Sequence, residues 1–151
     1  MDDLAHLLLG CLIYRCMVLL GLRPGKLELA AVLAGSVAPD LLWASGLLPY
    51  PVAHVATYYV AAAVPLLLFA RTRLAAFGFA VCATAHVLSD APMHVGMWAP
   101  FYPLSFSITG SFNYWEQPLS IAAYWLALLL LLSLSFWLEK KKAAKPAPKS
   151  S

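Results

Sequence analysis

His86 and Asp90 stand four residues apart near the end of an apolar run, and His94 follows four further on. Positions i and i+4 of a helix share a face, so the His86 imidazole and the Asp90 carboxylate can reach one point in space. A neutral imidazole and a carboxylate at that spacing suit a divalent metal such as zinc, whose binding keeps the histidine deprotonated and the acid ionised. His94 would extend the stripe, but Pro92 removes a backbone donor and crowds the preceding turn, so a kink or helix end is expected there. An ionisable side chain within a membrane span costs roughly 2.5 to 3.5 kcal/mol, so a cluster of them points to something that they hold. An ion-conducting or proton-relay pair would look similar, and that alternative stays open at this point.

The surroundings of these residues are apolar. The chain has 151 residues, 62% of them hydrophobic and 11% charged, the composition of an integral membrane protein of one compact domain. Five apolar stretches, near residues 4–22, 27–48, 53–70, 74–91 and 118–138, read as long enough to span about 30 Å of hydrocarbon. The expected fold is therefore an all-α membrane helical bundle of about five transmembrane helices, occupying residues 1–138. Asp2 and Asp3 precede the first stretch where a signal peptide would carry positive charge, so it reads as a retained span.

Short loops rich in Lys and Arg stay on the cytoplasmic side. Arg23 and Lys26 follow the first span, Arg71 and Arg73 the third, and Lys140, Lys141, Lys142, Lys145 and Lys149 the fifth. Five spans put all of these on one face, which predicts an extracytoplasmic N-terminus and a cytoplasmic C-terminus in the cell membrane. Arg15 lies within span one, where it would snorkel or pair with a buried acid. Residues 139–151, a lysine run followed by Pro146, Pro148 and serines, are expected to form a disordered basic tail attracted to anionic lipid. Cys11, Cys16 and Cys82 lack paired-ligand spacing and read as apolar packing. Basic residues are not interleaved with aromatics as a nucleic-acid surface requires, so no nucleic acid partner is expected.

On this topology the polar residues segregate. His6 falls at the outer end of span one, Asp40 after Pro39 near the outer end of span two, His54 at the opening of span three, and His86 with Asp90 at the close of span four. A lone interfacial histidine is more often hydrogen-bonded than ligating, and Pro39-Asp40 alone reads as a helix break. Delivery of these side chains by four spans to one depth is what favours a metal site. The segment 92–118 concentrates Trp98, Phe101, Tyr102, Phe106, Phe112, Tyr114 and Trp115, an interfacial aromatic belt or a lid over the site. Trp43, Tyr50, Tyr58 and Tyr59 read as interface anchors.

The ordered set His6, Pro39-Asp40, His54 and His86-Val87-Leu88-Ser89-Asp90, followed by Tyr102-Pro103-Leu104-Ser105 and Tyr114-Trp115-Glu116, resembles the YdjM-type family of membrane-bound metal-dependent hydrolases. The order is also similar to that of zinc-dependent phospholipase C and P1 nuclease, helical enzymes that hydrolyse phosphoesters. The resemblance implies that Asp40, His54, His86 and Asp90 hold one metal, that His6 joins Asp90 at a second, and that His94 contributes to another. It further implies that Asp40 or Asp90 bridges metals or orients water, with a phosphoester or lipid head group as substrate at the extracytoplasmic face. The chain departs from the pattern at Leu42, Val52 and Ala53, and no histidine follows His94, which leaves Glu116 as the remaining acid on this side and one or two ions, zinc by type, as the expected complement. A small metal or ion transporter using helices broken at Pro39, Pro65 and Pro92, or a protein with a structural metal, would draw on the same ligands.

Overall fold

The computed structural model describes residues 3–90, 96–104, 108–110 and 117–143. Helices α1 (Asp3–Leu19), α2 (Lys26–Ala44), α3 (Tyr50–Ala53, a single turn), α4 (Ala56–Leu67), α5 (Arg73–Asp90) and α6 (Pro118–Ala143) account for most of it. Two three-residue strands, β1 (Gly96–Trp98) and β2 (Ile108–Gly110), pair antiparallel with Met97 opposite Thr109. The all-α expectation holds apart from this short ribbon.

The most extensive packing is between α2 and α5; α4 lies on α5, α1 on α2, and α6 joins chiefly through α1. Small residues permit the close approach, as in bundles where apolar surroundings give no hydrophobic drive between helices. A Cβ at Gly35 would come within 2.5 Å of the Phe79 carbonyl oxygen, and one at Gly78 within 2.7 Å of Val32 Cγ2. Met17, Val32 and Cys82 form a buried apolar cluster, with Ile13, Tyr14 and Leu74 packed against it.

Contacts fix the helix directions. Passing along α2 from Val32 through Ser36 to Asp40, the neighbours on α5 are Gly78 and then His86, while those on α1 are Met17, Gly10 and His6. Helices α2 and α5 thus run in the same sense and α1 runs against them. His6, Asp40 and Asp90 share one end of the bundle. At the other end Lys142 donates to the Leu19 carbonyl at 3.3 Å, and Arg73 Nε donates to the Leu67 carbonyl at 3.1 Å.

Two helices, Lys26–Ala44 and Pro118–Lys142, are long and apolar enough to cross a membrane; α1 and α4 are apolar but shorter. The third stretch expected from sequence, 53–70, is interrupted. Val55 is extended (φ −105°, ψ 105°), and the Ala56 N–H donates to the Pro100 carbonyl at 2.7 Å, so the 12-residue α4 starts afresh beyond it. Helix α6 also continues past residue 138 to Ala143, placing Lys140–Lys142 in helix where a disordered tail was expected; residues 144–151 lie outside those described. Lysines in a last helical turn complement its negative dipole end. Glu139 is moreover held by Arg15, whose guanidinium also lies 4.0 Å from the Phe136 ring centroid. Arg15 thereby has the acidic partner that the sequence left unnamed.

Gly35→Ala tests the α2–α5 contact. Alanine gains about 1 kcal/mol in helix propensity over glycine, but here its methyl meets backbone, which cannot rotate aside. The expected result is a net loss of about 1–3 kcal/mol, seen as a lower thermal midpoint in detergent.

Candidate metal centre

Helix α1 delivers His6, α2 Asp40, the α3 turn His54, and α5 both His86 and Asp90. Pro39 is buried inside α2 and cannot donate to the Gly35 carbonyl, and its ring crowds that turn. The adjacent Ser36 carbonyl accepts the His86 Nδ1–H at 2.6 Å. After α2, Pro49 and Pro51 set the backbone of the α3 turn, whose C-cap is His54. The Tyr50 carbonyl there accepts both the His54 backbone N–H, at 3.1 Å, and its Nδ1–H, at 3.0 Å. Tyr59 of α4 steadies the same turn by donating its hydroxyl to the Ala53 carbonyl.

These bonds decide the tautomers. A carbonyl can only accept, so Nδ1 carries the proton in His54 and His86, and in the neutral rings Nε2 is left with a lone pair. Those Nε2 atoms face carboxylate oxygens. His54 Nε2 lies 3.2 Å from Asp40 Oδ1 and 3.6 Å from Asp90 Oδ2, and His86 Nε2 lies 3.6 Å from an oxygen of each acid. His6 Nε2 lies 3.3 Å from Asp90 Oδ1 and 3.6 Å from Asp40 Oδ2. Lone pair against carboxylate is repulsive unless a cation or a proton stands between.

His6, Asp40, His86 and Asp90 each offer a donor atom within 4.8 Å of all the others, a buried cluster able to hold a metal ion. His54 flanks it through both carboxylates. His6 and His86 are fully buried and stacked with ring centroids 3.6 Å apart. His6 Nε2, His86 Nε2 and Asp40 Oδ2 are buried with no hydrogen-bond partner, an arrangement that is costly unless something else satisfies them. Of the six residues expected from sequence, the structure therefore brings His6, Asp40, His54, His86 and Asp90 together. His94 lies outside the described residues, as does Glu116. His6 approaches both acids and not Asp90 alone, so the five form one compact cluster.

A second layer was not apparent as such from sequence. Tyr50, read there as an interface anchor, stacks on His54 with centroids 3.9 Å apart, and Trp43 meets Tyr50 edge-on at 5.2 Å. Burial, followed by the Asp90 and Asp40 charges, pushes the Tyr50 phenol up from its ordinary value. The signal lay in the i,i+4 spacing of Tyr50 and His54.

A cleft of about 470 Å³ opens beside His54, between the α3–α4 corner and the segment containing Ala99 and Tyr102. Thr57 holds that segment by donating its hydroxyl to the Tyr102 carbonyl. Of the aromatic stretch, Ala99 and Tyr102 thus border the cleft that His54 lines. Comparison of the chain with family models, curated proteins and solved structures returns no match. The chemistry of the centre is read from its own geometry.

Metal content by mass spectrometry of the purified protein tests the cluster. Wild type is expected to carry metal and a His86→Ala, Asp90→Ala double variant to lose it. Tyr50→Ala, which keeps the carbonyl but removes the ring beneath His54, is expected to weaken affinity about 10-fold in a chelator competition, the scale of support lost around a ligand.

Proposed function

We propose that the chain is an integral membrane protein that binds a divalent ion, zinc in preference to harder cations, and hydrolyses a phosphoester or lipid head group at the extracytoplasmic face. The observation that carries this reading is the convergence of three imidazole Nε2 atoms on two carboxylates, with two of the rings fixed through Nδ1. Two ligands about 2.1 Å from one zinc ion at the tetrahedral angle stand about 3.4 Å apart. The nitrogen-to-oxygen separations here run from 3.2 to 3.6 Å. Nitrogen-rich donors also suit zinc better than calcium or magnesium, which take oxygen.

When bound, the ion supplies Lewis acidity toward a phosphoryl oxygen and acidifies nearby water. The protein's part is positioning and proton handling. Asp90 and the stacked His6 and His86 are buried and act as fixed ligands. Asp40 has the most exposed side chain of the five, at 14%, and is the group suited to orient a water and take its proton. His54, with its side chain only 1% exposed, lies at the inner wall of the cleft. The order of His6, Pro39-Asp40, His54 and His86–Asp90, which resembles that of the YdjM-type family, is consistent with the same assignment. The burial of His6 and His86 favours a second reading, a purely structural ion, in which no position opens to substrate.

Membrane insertion is supported by the apolar exterior. Leu126, Leu130, Leu134 and Trp137 of α6 are exposed, and so are Val60 and Val64 of α4. The basic residues Lys26, Arg73 and Lys142 lie remote from the ligand end, which fits five inserted helices with that end outward.

Hydrolysis of a chromogenic phosphodiester is expected to stop on chelation and return with zinc, and Asp40→Asn to lower kcat/KM about 100-fold. Metal binding without turnover on any phosphoester would favour the structural ion. Orientation is checked with a membrane-impermeant thiol reagent on intact cells, in a background lacking Cys11, Cys16 and Cys82. Cysteine at Tyr102 is expected to react from outside and cysteine at Lys145 only after lysis; the reverse pattern inverts the topology.

A further inference from the structure

We propose that the substrate of this centre is a membrane amphiphile of low charge, whose apolar body lies in the cleft beside His54 while its ester reaches the ligands. This deepens, and rests on, the hydrolytic reading above.

Charge carries the first half of the argument. Apart from Arg15, no Lys or Arg occurs before residue 23, and none occurs at 27–70 or 74–139. Those ranges include every described residue around the ligands and the undescribed segments of 91–116 as well. Arg15 is engaged by Glu139 at the other end of α1. A divalent ion among the Asp40 and Asp90 carboxylates gives a centre of zero net formal charge, with the three imidazoles neutral. Beyond any metal, sites that bind a phosphate dianion or a polyphosphate commonly add Arg or Lys. Here the chain has none to offer, so a nucleotide or a phosphate monoester would leave charge unmatched. An ester with one negative charge, or none, would not.

Shape carries the second half. Pro51, Val52, Val55 and Tyr58 line one side of the cleft and Ala99 and Tyr102 the other, with His54 adjoining. Val52, Tyr58 and Tyr102 are exposed at its mouth. Below Tyr58 on the same face of α4, Ala61, Ala62 and Pro65 are apolar and exposed, so an apolar strip runs along the bundle's flank toward the ligands. A chain lying along that strip arrives with its head at His54. A soluble substrate gains nothing from it.

The test uses full-length, zinc-loaded protein in one detergent and two measurements. In the first, kcat/KM is compared for p-nitrophenyl phosphate, bis-p-nitrophenyl phosphate and a dialkylglycerol p-nitrophenyl phosphodiester. The lipid diester is expected to exceed the soluble diester at least 10-fold and the monoester further. Val52→Lys, which brings a cation to the cleft with zinc content unchanged, should narrow the gap by raising the monoester and lowering the lipid. In the second, binding of a monoanionic dodecyl phosphonate monoester is compared with that of its methyl counterpart by native mass spectrometry. The long-chain compound is expected to bind at least 10-fold more tightly in wild type, and Tyr102→Ala to reduce that advantage. Equal or better turnover of the soluble monoester overturns the proposal and leaves the hydrolase reading intact. Equal binding of the two phosphonates overturns it whether or not turnover is seen. Absence of all turnover with the chain-length preference retained counts against hydrolysis, and the cleft assignment stands.

Discussion

Two carboxylates, Asp40 and Asp90, share a buried space with three histidines and, among the described residues, no Lys or Arg, and the rest of the structure is organised around that fact. Bringing like charges together away from water costs several kcal/mol per ion unless opposite charge compensates. Protonated histidines could supply it, yet His6 and His86 are stacked face to face, where two cations would repel. Their partners also fix the protons of His54 and His86 on Nδ1, turned away from the acids. A divalent cation satisfies both carboxylates and the facing lone pairs at once. Under the proposed metal-binding reading, the folding of this end is coupled to the ion.

That coupling explains where the chain tolerates poor local choices. Pro39 inside α2, Val55 extended between α3 and α4, and glycines at 35 and 78 each weaken a helix in isolation. Each also has a positional consequence. The first loosens the turn that supplies the Ser36 carbonyl, the second lets His54 turn inward on a one-turn helix, and the glycines let α5 approach α2 closely enough for His86 to reach across. Local departures from helical regularity cluster where the donors must converge, as expected when a functional site competes with ideal packing.

Much of the ligand set was legible in the sequence because polar residues in an apolar chain have few reasons to exist. His6, Asp40, His54, His86 and Asp90 could be matched by depth once the apolar stretches were counted, and i,i+4 spacing paired two of them. What was not legible depended on backbone atoms or on distant partners. The Ser36 and Tyr50 carbonyls carry no side-chain signature, and Tyr50 looks like any interfacial aromatic until its ring is seen against His54. Arg15 and Glu139 are 124 residues apart, so neither period nor motif relates them. The interruption of the third stretch was hidden for a similar reason: its cause is a hydrogen bond to Pro100, far along the chain. Hydropathy reports a continuous apolar run there, since Val55 and Ala56 differ from their neighbours in backbone direction and not in polarity.

The separation of charge along the bundle has a physical logic of its own. Fixed positive charge gathers at the Leu19–Lys142 end, and the carboxylates lie at the other, so the two populations do not neutralise each other directly. The helices between the two ends are about 25 Å or more long, far beyond the reach of a direct ion pair. Neither end can therefore rely on the other for compensation. A lysine or arginine beside Asp40 and Asp90 would have been the simplest way to stabilise them, and it would have competed with a metal for the same oxygens. Excluding such residues from two long tracts of sequence keeps both carboxylates available as ligands and makes the apo state the costly one. The same exclusion removes any cationic clamp around the cleft, so one feature of the sequence governs both what the centre holds and what charge it can accept beside it.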